Sequence, residues 1–492
     1  MNVETDDSSL KRQPVSLRQQ VMSALGWAAA MRLIGQVLTW AMTIVVVRIL
    51  APEDYGLMAI AIVFLSLFQG FSLVGIGDAI VQRQTIDDQS LRRIFGLILV
   101  VNLTLLILLC IAAFPIASFY DDDRLVLLVQ VASLNFAFRA LTTIPEAHLT
   151  KVLNFRQISW VDFTASLIGS VAVLILAYHG AKVWSLMCGA IVQSAVRTAG
   201  MLLCAPYFKR PTFVLKGLKG IISFSVLRTA ENLTWLAYNS ADTFIIGRLL
   251  GHEALGLYSV AQNLAQLPLW KFGGIVMQVS FPAFAAVQDE VNSATWYLKK
   301  VLRLLALCGF PVFFGLSAVA PELVPLVLGP KWLSATVPLQ VLAVVAPLRL
   351  FSPVTSSFLR GMGQLRIAVT NGILGLILLP VSVAIGCRWG IVGASVAWLC
   401  AYPIFFGHMI AHICRVFRIP VMQIVGAISN PALGAAIMYG TISLGRQMLT
   451  DGLSSIVTLL ILVTLGAITY LTYCLLFSRT AVAELWSLAV RR

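Results

Sequence analysis

Apolar residues run along this chain in blocks of about twenty, separated by short polar turns and without the strict alternation of a strand. The blocks fall near residues 24–47, 55–77, 94–116, 125–148, 157–178, 183–205, 221–246, 256–284, 298–320, 335–359, 365–386, 390–414, 425–445 and 453–477. Each is long enough for a helix to cross a hydrocarbon layer of ~30 Å, whereas a membrane β-barrel would show alternating segments of ~10 residues. The pattern predicts an all-α integral membrane protein with about fourteen transmembrane helices. An even number places both termini on one side.

Composition sharpens this. Hydrophobic residues make up 59% of the 492, charged residues 11%, and the mean hydropathy is +0.90. A soluble domain carries about 25% charge, so soluble enzymes, secreted disulfide scaffolds and disordered chains are excluded. The net charge of +14 is explained by the distribution of Lys and Arg. With the amino terminus inside, 22 of the 35 fall on cytoplasmic segments. Seven fall on the opposite face: Arg48, Arg124, Lys182, Arg248, Lys331, Arg388 and Arg446. That excess follows the positive-inside rule and needs no nucleic-acid partner. Residues 1–23, with Lys11, Arg12 and Arg18, read as a cytoplasmic tail, and 479–492 as a second one. The eight cysteines all lie in apolar segments without a CxxC pair, which points to neither a metal site nor a disulfide frame.

The chain repeats itself. Arg48-Ile-Leu-Ala-Pro-Glu53-Asp-Tyr-Gly56-Leu57 returns as Arg248-Leu-Leu-Gly-His-Glu253-Ala-Leu-Gly256-Leu257, 200 residues on. At a shift of 210, Gln130 matches Gln340, Arg139 matches Arg349, Leu149 matches Leu359, Arg156 matches Arg366 and Gly180 matches Gly390. A near-constant shift over six spans predicts two six-helix bundles, 24–210 and 211–420, followed by an extra helix pair at 421–478. Because six spans return the chain to its starting side, the halves run parallel about an axis along the membrane normal. Transporters place a binding site between such halves; duplication retained for stability alone is the plainer alternative.

Six cations lie within the apolar blocks: Arg32, Arg139, Arg197, Arg228, Lys271 and Arg349. At a helix centre each would cost about 2.5–3.5 kcal/mol, so they should face a wet cavity or a partner. Arg32 stands ~12 Å into its span at 1.5 Å per residue, and Lys271 follows Pro268 and precedes Gly273-Gly274. Snorkelling is the alternative for both. Arg139 and Arg349 are repeat mates that would serve as ligands or brace each half through ion pairs. Arg228 has Glu231 at i+3 as a local partner, and Arg197, near a cytoplasmic end, is expected to snorkel. The acids in the blocks are Glu146, Asp162, Glu231 and Asp242, with Asp78 at a span end. Cations therefore exceed carboxylates, which favours anions such as phosphate or pyrophosphate. Asp242, beside Asn239 and Ser240, is the candidate for coupling to Na⁺ or a proton. Its alternative is a water-solvated charge at the outer end of its span.

Nothing in the pattern supports catalysis, so the reading is of a protein that is not an enzyme and carries no cofactor. The five histidines are scattered; His408 and His412 are spaced i, i+4 but without HExxH, and read as a surface pair rather than a metal site. Gly75-Ile-Gly77 lacks the rest of a dinucleotide fingerprint, and no P-loop is present. Pro268, Pro282, Pro311, Pro347, Pro353, Pro380 and Pro403 interrupt spans, as helices that bend in alternating access would, and as ordinary membrane helices also tolerate.

Several stretches carry a resemblance. Gly75-Ile76-Gly77-Asp78-Ala79-Ile80-Val81-Gln82-Arg83 resembles the end of the second helix in polysaccharide flippases of the colanic-acid exporter type. Phe281-Pro282-Ala283-Phe284-Ala285-Ala286-Val287-Gln288-Asp289, Val324-Pro325-Leu326-Val327-Leu328-Gly329-Pro330-Lys331-Trp332 and Arg48 to Gly56 are similar to segments of the same family. This is the polysaccharide transporter branch of the MOP exporter superfamily, alongside MATE pumps and the lipid II flippase, and the resemblance spans roughly residues 20–420.

The resemblance implies two six-helix bundles around a central cationic cavity. It implies a flippase that moves an undecaprenyl-pyrophosphate-linked oligosaccharide across the bacterial inner membrane for exopolysaccharide, capsule or O-antigen export. Arg32 and Lys271 match the location of the superfamily's cavity cations, though not an identical motif. The pyrophosphate ligands expected are Arg32, Arg139, Lys271, Arg349 and Arg228, with a cation gradient as the drive. Membrane lipids, and a polysaccharide polymerase with its export machinery, are the expected partners. The rival readings are a MATE-like cation–drug antiporter, which would carry deep carboxylates instead, and a membrane polymerase or glycosyltransferase, for which the loops are too short.

Overall fold

A computed structural model gives the fold, and it describes residues 35–36, 38–72, 80, 87–207, 209–214, 219–286, 290–449 and 454–478. Among these the regular structure is helical: α1 Leu38–Ile49, α2 Pro52–Gly70, α3 Asp88–Tyr120, α4 Arg124–Lys151, α5 Phe155–Tyr178 and α6 Val183–Cys204. Then follow α7 Lys219–Ala286, α8 Val291–Val327, α9 Thr336–Gly361, α10 Leu365–Gly386 and α11 Gly390–Phe417. The last two are α12 Val421–Met448 and α13 Ser455–Phe477. Ten stretches of the described residues are long and apolar enough to cross a membrane.

The helices start and stop where local chemistry allows. Pro52 needs no hydrogen-bonded N–H at the first position of α2, and the Asp54 carboxylate accepts from the Ala51 N–H at 3.0 Å. The Asp87 carboxylate caps α3 by accepting from the Ser90 N–H at 3.0 Å. That cap starts α3 before its apolar block begins, so its 33 residues extend ~50 Å, more than the hydrocarbon layer requires. The blocks expected at 221–246 and 256–284 are two arms of α7, which turns sharply at Gly251, where φ is 83°.

Matching turns repeat at the expected shift. At the end of α4, Asn154 N–H donates to Leu149 C=O at 2.9 Å, and at the end of α9, Gln364 N–H donates to Leu359 C=O at 2.8 Å. Leu153 and Gly363, 210 residues apart, both adopt positive φ (57° and 71°), and so do Gly180 and Gly390 (75° and 69°).

The halves meet at one end of the bundle through reciprocal contacts. Gly56 on α2 lies so close to α7 that a Cβ there would stand 1.8 Å from the His252 carbonyl oxygen. A Cβ on Gly256 would stand 1.7 Å from the Pro52 carbonyl oxygen. Both glycines, and both carbonyls, are pairs at the 200-residue shift. The flanking arginines also cross over. Arg48 donates to the carbonyls of Leu326 (Nη2) and Val327 (Nε, 3.0 Å) at the end of α8, where the helix dipole favours a cation. Arg248 Nη1 reaches Asp121 Oδ2, past the end of α3, at 2.8 Å. Trp332, fully buried, donates from Nε1 to the Val47 carbonyl at 3.0 Å and meets Tyr55 edge-on at 5.3 Å.

Helix faces away from these contacts are apolar and exposed, as lipid requires. Ile107, Ile111 and Phe114 form such a stripe on α3, and Ile373, Ile377, Val381 and Ile385 form one on α10. The final pair docks on α8: Arg446 pairs with Glu322 (2.5 and 3.0 Å) and donates to the Ala318 carbonyl, while Tyr470 donates to Leu307 C=O at 2.8 Å.

Candidate functional site

Apart from the ion pairs at the junction and on the final helix pair, charged side chains also gather within each half. In the first half, Arg197 on α6 lies between two carboxylates from other helices. Its Nε donates to Asp162 Oδ1 at 2.9 Å on α5, and its Nη2 and Nη1 donate to the Glu146 oxygens on α4 at 2.8 and 3.3 Å. The expectation that Arg197 snorkels is therefore corrected. Two anions project from α4 and α5 at its own level, so the guanidinium is partnered there and need not reach an interface. Below it, Thr142 and Thr198 share a buried hydroxyl hydrogen bond of 2.9 Å, and Ser194 donates to Asn135 Oδ1 at 2.7 Å. Polar side chains thus tie α4 to α6 along several turns.

Arg139 stands two turns before Glu146 on α4. Its side chain is exposed and makes no hydrogen bond or ion pair to another described residue. An exposed cation mid-way along an apolar helix is tolerated where it meets water, not lipid. Arg139 feels the charges of Glu146 and Arg197, and the four charges of the cluster sum to zero.

The second half is built differently. Asp242, on the first arm of α7, is 1% exposed, which corrects the reading of a water-solvated outer charge. Because α7 folds back at Gly251, its second arm brings Tyr258 and Gln262 onto Asp242. Tyr258 OH donates to Oδ2 at 2.9 Å, Gln262 Nε2 to Oδ2 at 2.5 Å, and the Thr243 N–H to Oδ1 at 2.8 Å. Donors converge on the carboxylate, an arrangement that satisfies its lone pairs without water. Arg349 on α9 donates to Asn239 Oδ1 at 2.7 Å, stacks 4.6 Å over the Trp398 ring on α11, and acts electrostatically on Asp242.

The repeat mates Arg139 and Arg349 are therefore not equivalent: among the described residues the first has no side-chain partner, while the second is held by an amide and an indole as the counter-charge of Asp242. Among the described deep charges, Arg139, Arg197 and Arg349 are matched by Glu146, Asp162 and Asp242. With Glu231 set against Arg228, the cationic excess expected from the sequence rests on Arg32 and Lys271. Arg32 lies outside the described residues, as does Asp78, and so do the side chains of Lys271, Arg228 and Glu231.

Sequence reading missed Tyr258 and Gln262. A signal was present: at the 200-residue shift they replace Met58 and Ile62, and Asp242 replaces Met42, so one half is polar where the other is apolar. His408 and His412 do not form the free surface pair expected. Both are half-buried with rings 4.6 Å apart, and His408 Nδ1 lies 3.0 Å from Oδ1 of the buried Asn371 on α10.

Two repeat-related helical bundles, with clusters of acidic and basic side chains inside each, define a membrane protein of the transporter class. Residues 45–337 match the family described as polysaccharide biosynthesis protein, and the chain belongs to that family. It is 26% identical over 403 residues to the lipopolysaccharide biosynthesis protein WzxC of Escherichia coli (strain K12), covering 78% of this chain and 79% of that one. It is 27% identical over 414 residues to the teichuronic acid biosynthesis protein TuaB of Bacillus subtilis (strain 168), covering 81% and 83%. The succinoglycan biosynthesis transport protein ExoT of Rhizobium meliloti (strain 1021) is 23% identical over 360 residues, covering 72% of each.

Among solved structures, the lipid II flippase MurJ in an inward closed conformation superposes with a TM-score of 0.72 at 15% identity, covering 92% of this chain and 99% of that one. An inward-facing MATE transporter of the MOP superfamily gives 0.58 at 15% identity, covering 78% and 94%. The chain shares its fold with these two proteins.

Proposed function

We propose that this protein is a flippase for an undecaprenyl-pyrophosphate-linked oligosaccharide, delivering repeat units for exopolysaccharide, capsule or O-antigen export by alternating access and without catalysis. The observation that carries the mechanism is the reciprocal junction. Two halves related by a repeat touch through pairs of mates at one end, Gly56 with His252 and Gly256 with Pro52. A rocking motion of one half against the other opens such a contact as a unit. Membership in a family of polysaccharide biosynthesis proteins supports the cargo.

In this reading fourteen spans cross a bacterial inner membrane, both termini are cytoplasmic and the junction faces outward, as the Lys and Arg distribution supports. Two bundles, 24–210 and 211–420, carry the transport, with the pair at 421–478 docked beside the second. The pyrophosphate engages Arg32, Lys271 and Arg139, with Arg228 near the same route. Arg349 serves the Asp242 site, where a cation that displaces the Tyr258 and Gln262 donors couples transport to a gradient. A polysaccharide polymerase and export machinery receive the flipped unit.

The test is the pool of lipid-linked repeat units in cells. Arg139→Gln, Arg32→Gln and Lys271→Gln are expected to accumulate complete repeat units on the cytoplasmic leaflet with protein levels unchanged. Full export in all three variants overturns the ligand assignment. In cells lacking the protein, truncated intermediates would indicate an assembly enzyme, and normal pools with altered drug sensitivity an antiporter.

A further inference from the structure

His252 is the first residue after the Gly251 turn of α7, and it belongs to the junction twice over. Its carbonyl oxygen lies against Gly56 of the first half. Its ring enters a group of charges from that half, with Nε2 3.2 Å from Asp122 Oδ2 between α3 and α4. The two side chains are only 15% and 10% exposed. The ring also lies 6.5 Å from that of Tyr120.

The charged neighbours are specific. Asp122 is already held by Arg124, through Nη2 at 2.7 Å and Nε at 3.0 and 3.1 Å, and Arg124 also pairs with Glu53 of α2 at 2.5 Å. Asp121 is occupied by Arg248 at 2.8 Å. Arg124 is thus shared between Asp122 and Glu53, so the carboxylate facing His252 is only partly neutralised, and burial of the ring is what opposes its protonation. On the other side of the ring, Nδ1 is buried with no hydrogen-bond partner among the described residues. A neutral imidazole fits: Nε2 lies 3.2 Å from Asp122 Oδ2 and Nδ1 carries only a lone pair. An imidazolium does not, because its Nδ1–H would be buried without an acceptor.

We propose that His252 is a proton-binding site in the outer junction, occupied when the halves part and emptied when they close. This rests on the alternating-access reading above and deepens it by assigning the ion that acts on the outer face. Burial, opposed by Asp122, pushes the imidazole below its ordinary value of 6.5 in the closed junction. The closed state is therefore fully favoured above pH 6.5, where the ring is neutral in both states. It loses ground as pH falls and the solvated ring of the open state takes a proton. Each pH unit separating the proton affinities of the two states changes the closed-to-open ratio about tenfold. Acidity on the outer side thus opens the outer gate.

The experiment uses the full chain with its eight cysteines replaced and spin labels at Tyr178→Cys and Trp389→Cys. These positions are exposed, lie at the junction end, and fall one in each half. Distance distributions are recorded from pH 8 to pH 5 in nanodiscs without substrate. The longer distance is expected to gain at least ~3-fold in population as pH falls below 6.5. His252→Gln, which keeps a neutral donor, should remain closed at pH 5, and His252→Lys, with its fixed charge, should be open at pH 8. A flat wild-type profile, or a His252→Gln profile that follows the wild type, overturns the proposal. If one variant fails to fold, the other and the wild-type profile still decide. Because no substrate is present, failure of the flippase reading would show only in the lipid-linked pools, with the pH response intact.

Discussion

Placing a single methyl group at the junction should change which state the protein occupies. In Gly56→Ala the new Cβ would stand 1.8 Å from the His252 carbonyl oxygen and 2.7 Å from its carbon. In Gly256→Ala it would stand 1.7 Å from the Pro52 oxygen. To reach even 3.0 Å, α2 and the second arm of α7 must separate by at least 1.2 Å in the first case and 1.3 Å in the second. The clash on both sides is with backbone, so no rotamer relieves it. Overpacking of this kind costs about 1–3 kcal/mol, and here the upper end applies. Charged entirely to the closed state, ~3 kcal/mol changes the closed-to-open ratio by about 150-fold.

The Tyr178/Trp389 label pair reads that ratio at pH 8, where His252 is neutral and the wild type is closed. Either substitution should convert the population to the longer distance without unfolding the protein. The double substitution should add little, because separation forced by one methyl makes room for the other, and coupled sites are not additive. Unchanged distances in both single variants would refute the reciprocal-contact reasoning. A double variant equal to the sum of two small effects would show that the two glycines act separately.

Two further outcomes follow from the ion pairs. Arg446→Gln leaves Glu322, whose side chain is 13% exposed, without its partner and loosens α12 from α8; a loss of ~2–3 kcal/mol in thermal unfolding is expected, reduced from the fully buried case because Arg446 is 28% exposed, and Glu322→Gln added to it should recover part. Arg197→Gln strands Glu146 and Asp162 together and should lower the melting temperature, with Glu146→Gln plus Asp162→Asn restoring it; a melting temperature that does not move would show that the α4–α5–α6 ion cluster is not structural.

Length and charge of the apolar blocks alone determined that the chain is a helical membrane protein, since only helices and closed barrels satisfy every backbone group in lipid and the alternating ~10-residue segments of a barrel are missing from the sequence. The repeat was legible too, because Arg48/Arg248, Gly56/Gly256 and Arg139/Arg349 recur at nearly fixed shifts. What those mates do was not legible. Arg48 and Arg248 each reach across to the other half, and Gly56 and Gly256 face one another's partners, because the axis relating the halves brings residues 200 apart into contact.

The charges inside the helices show the same limit. Sequence gave their depth but not their angular position, so Arg197 looked solitary although α4 and α5 present Glu146 and Asp162 to it. Asp242 looked solvent-facing because Tyr258 and Gln262, sixteen and twenty residues on, meet it only after α7 reverses at Gly251. Periodicity is a local property, set by 3.6 residues per turn. Ion-pair partners and burial depend on how helices distant in the chain are packed around one another, and only the tertiary structure decides that.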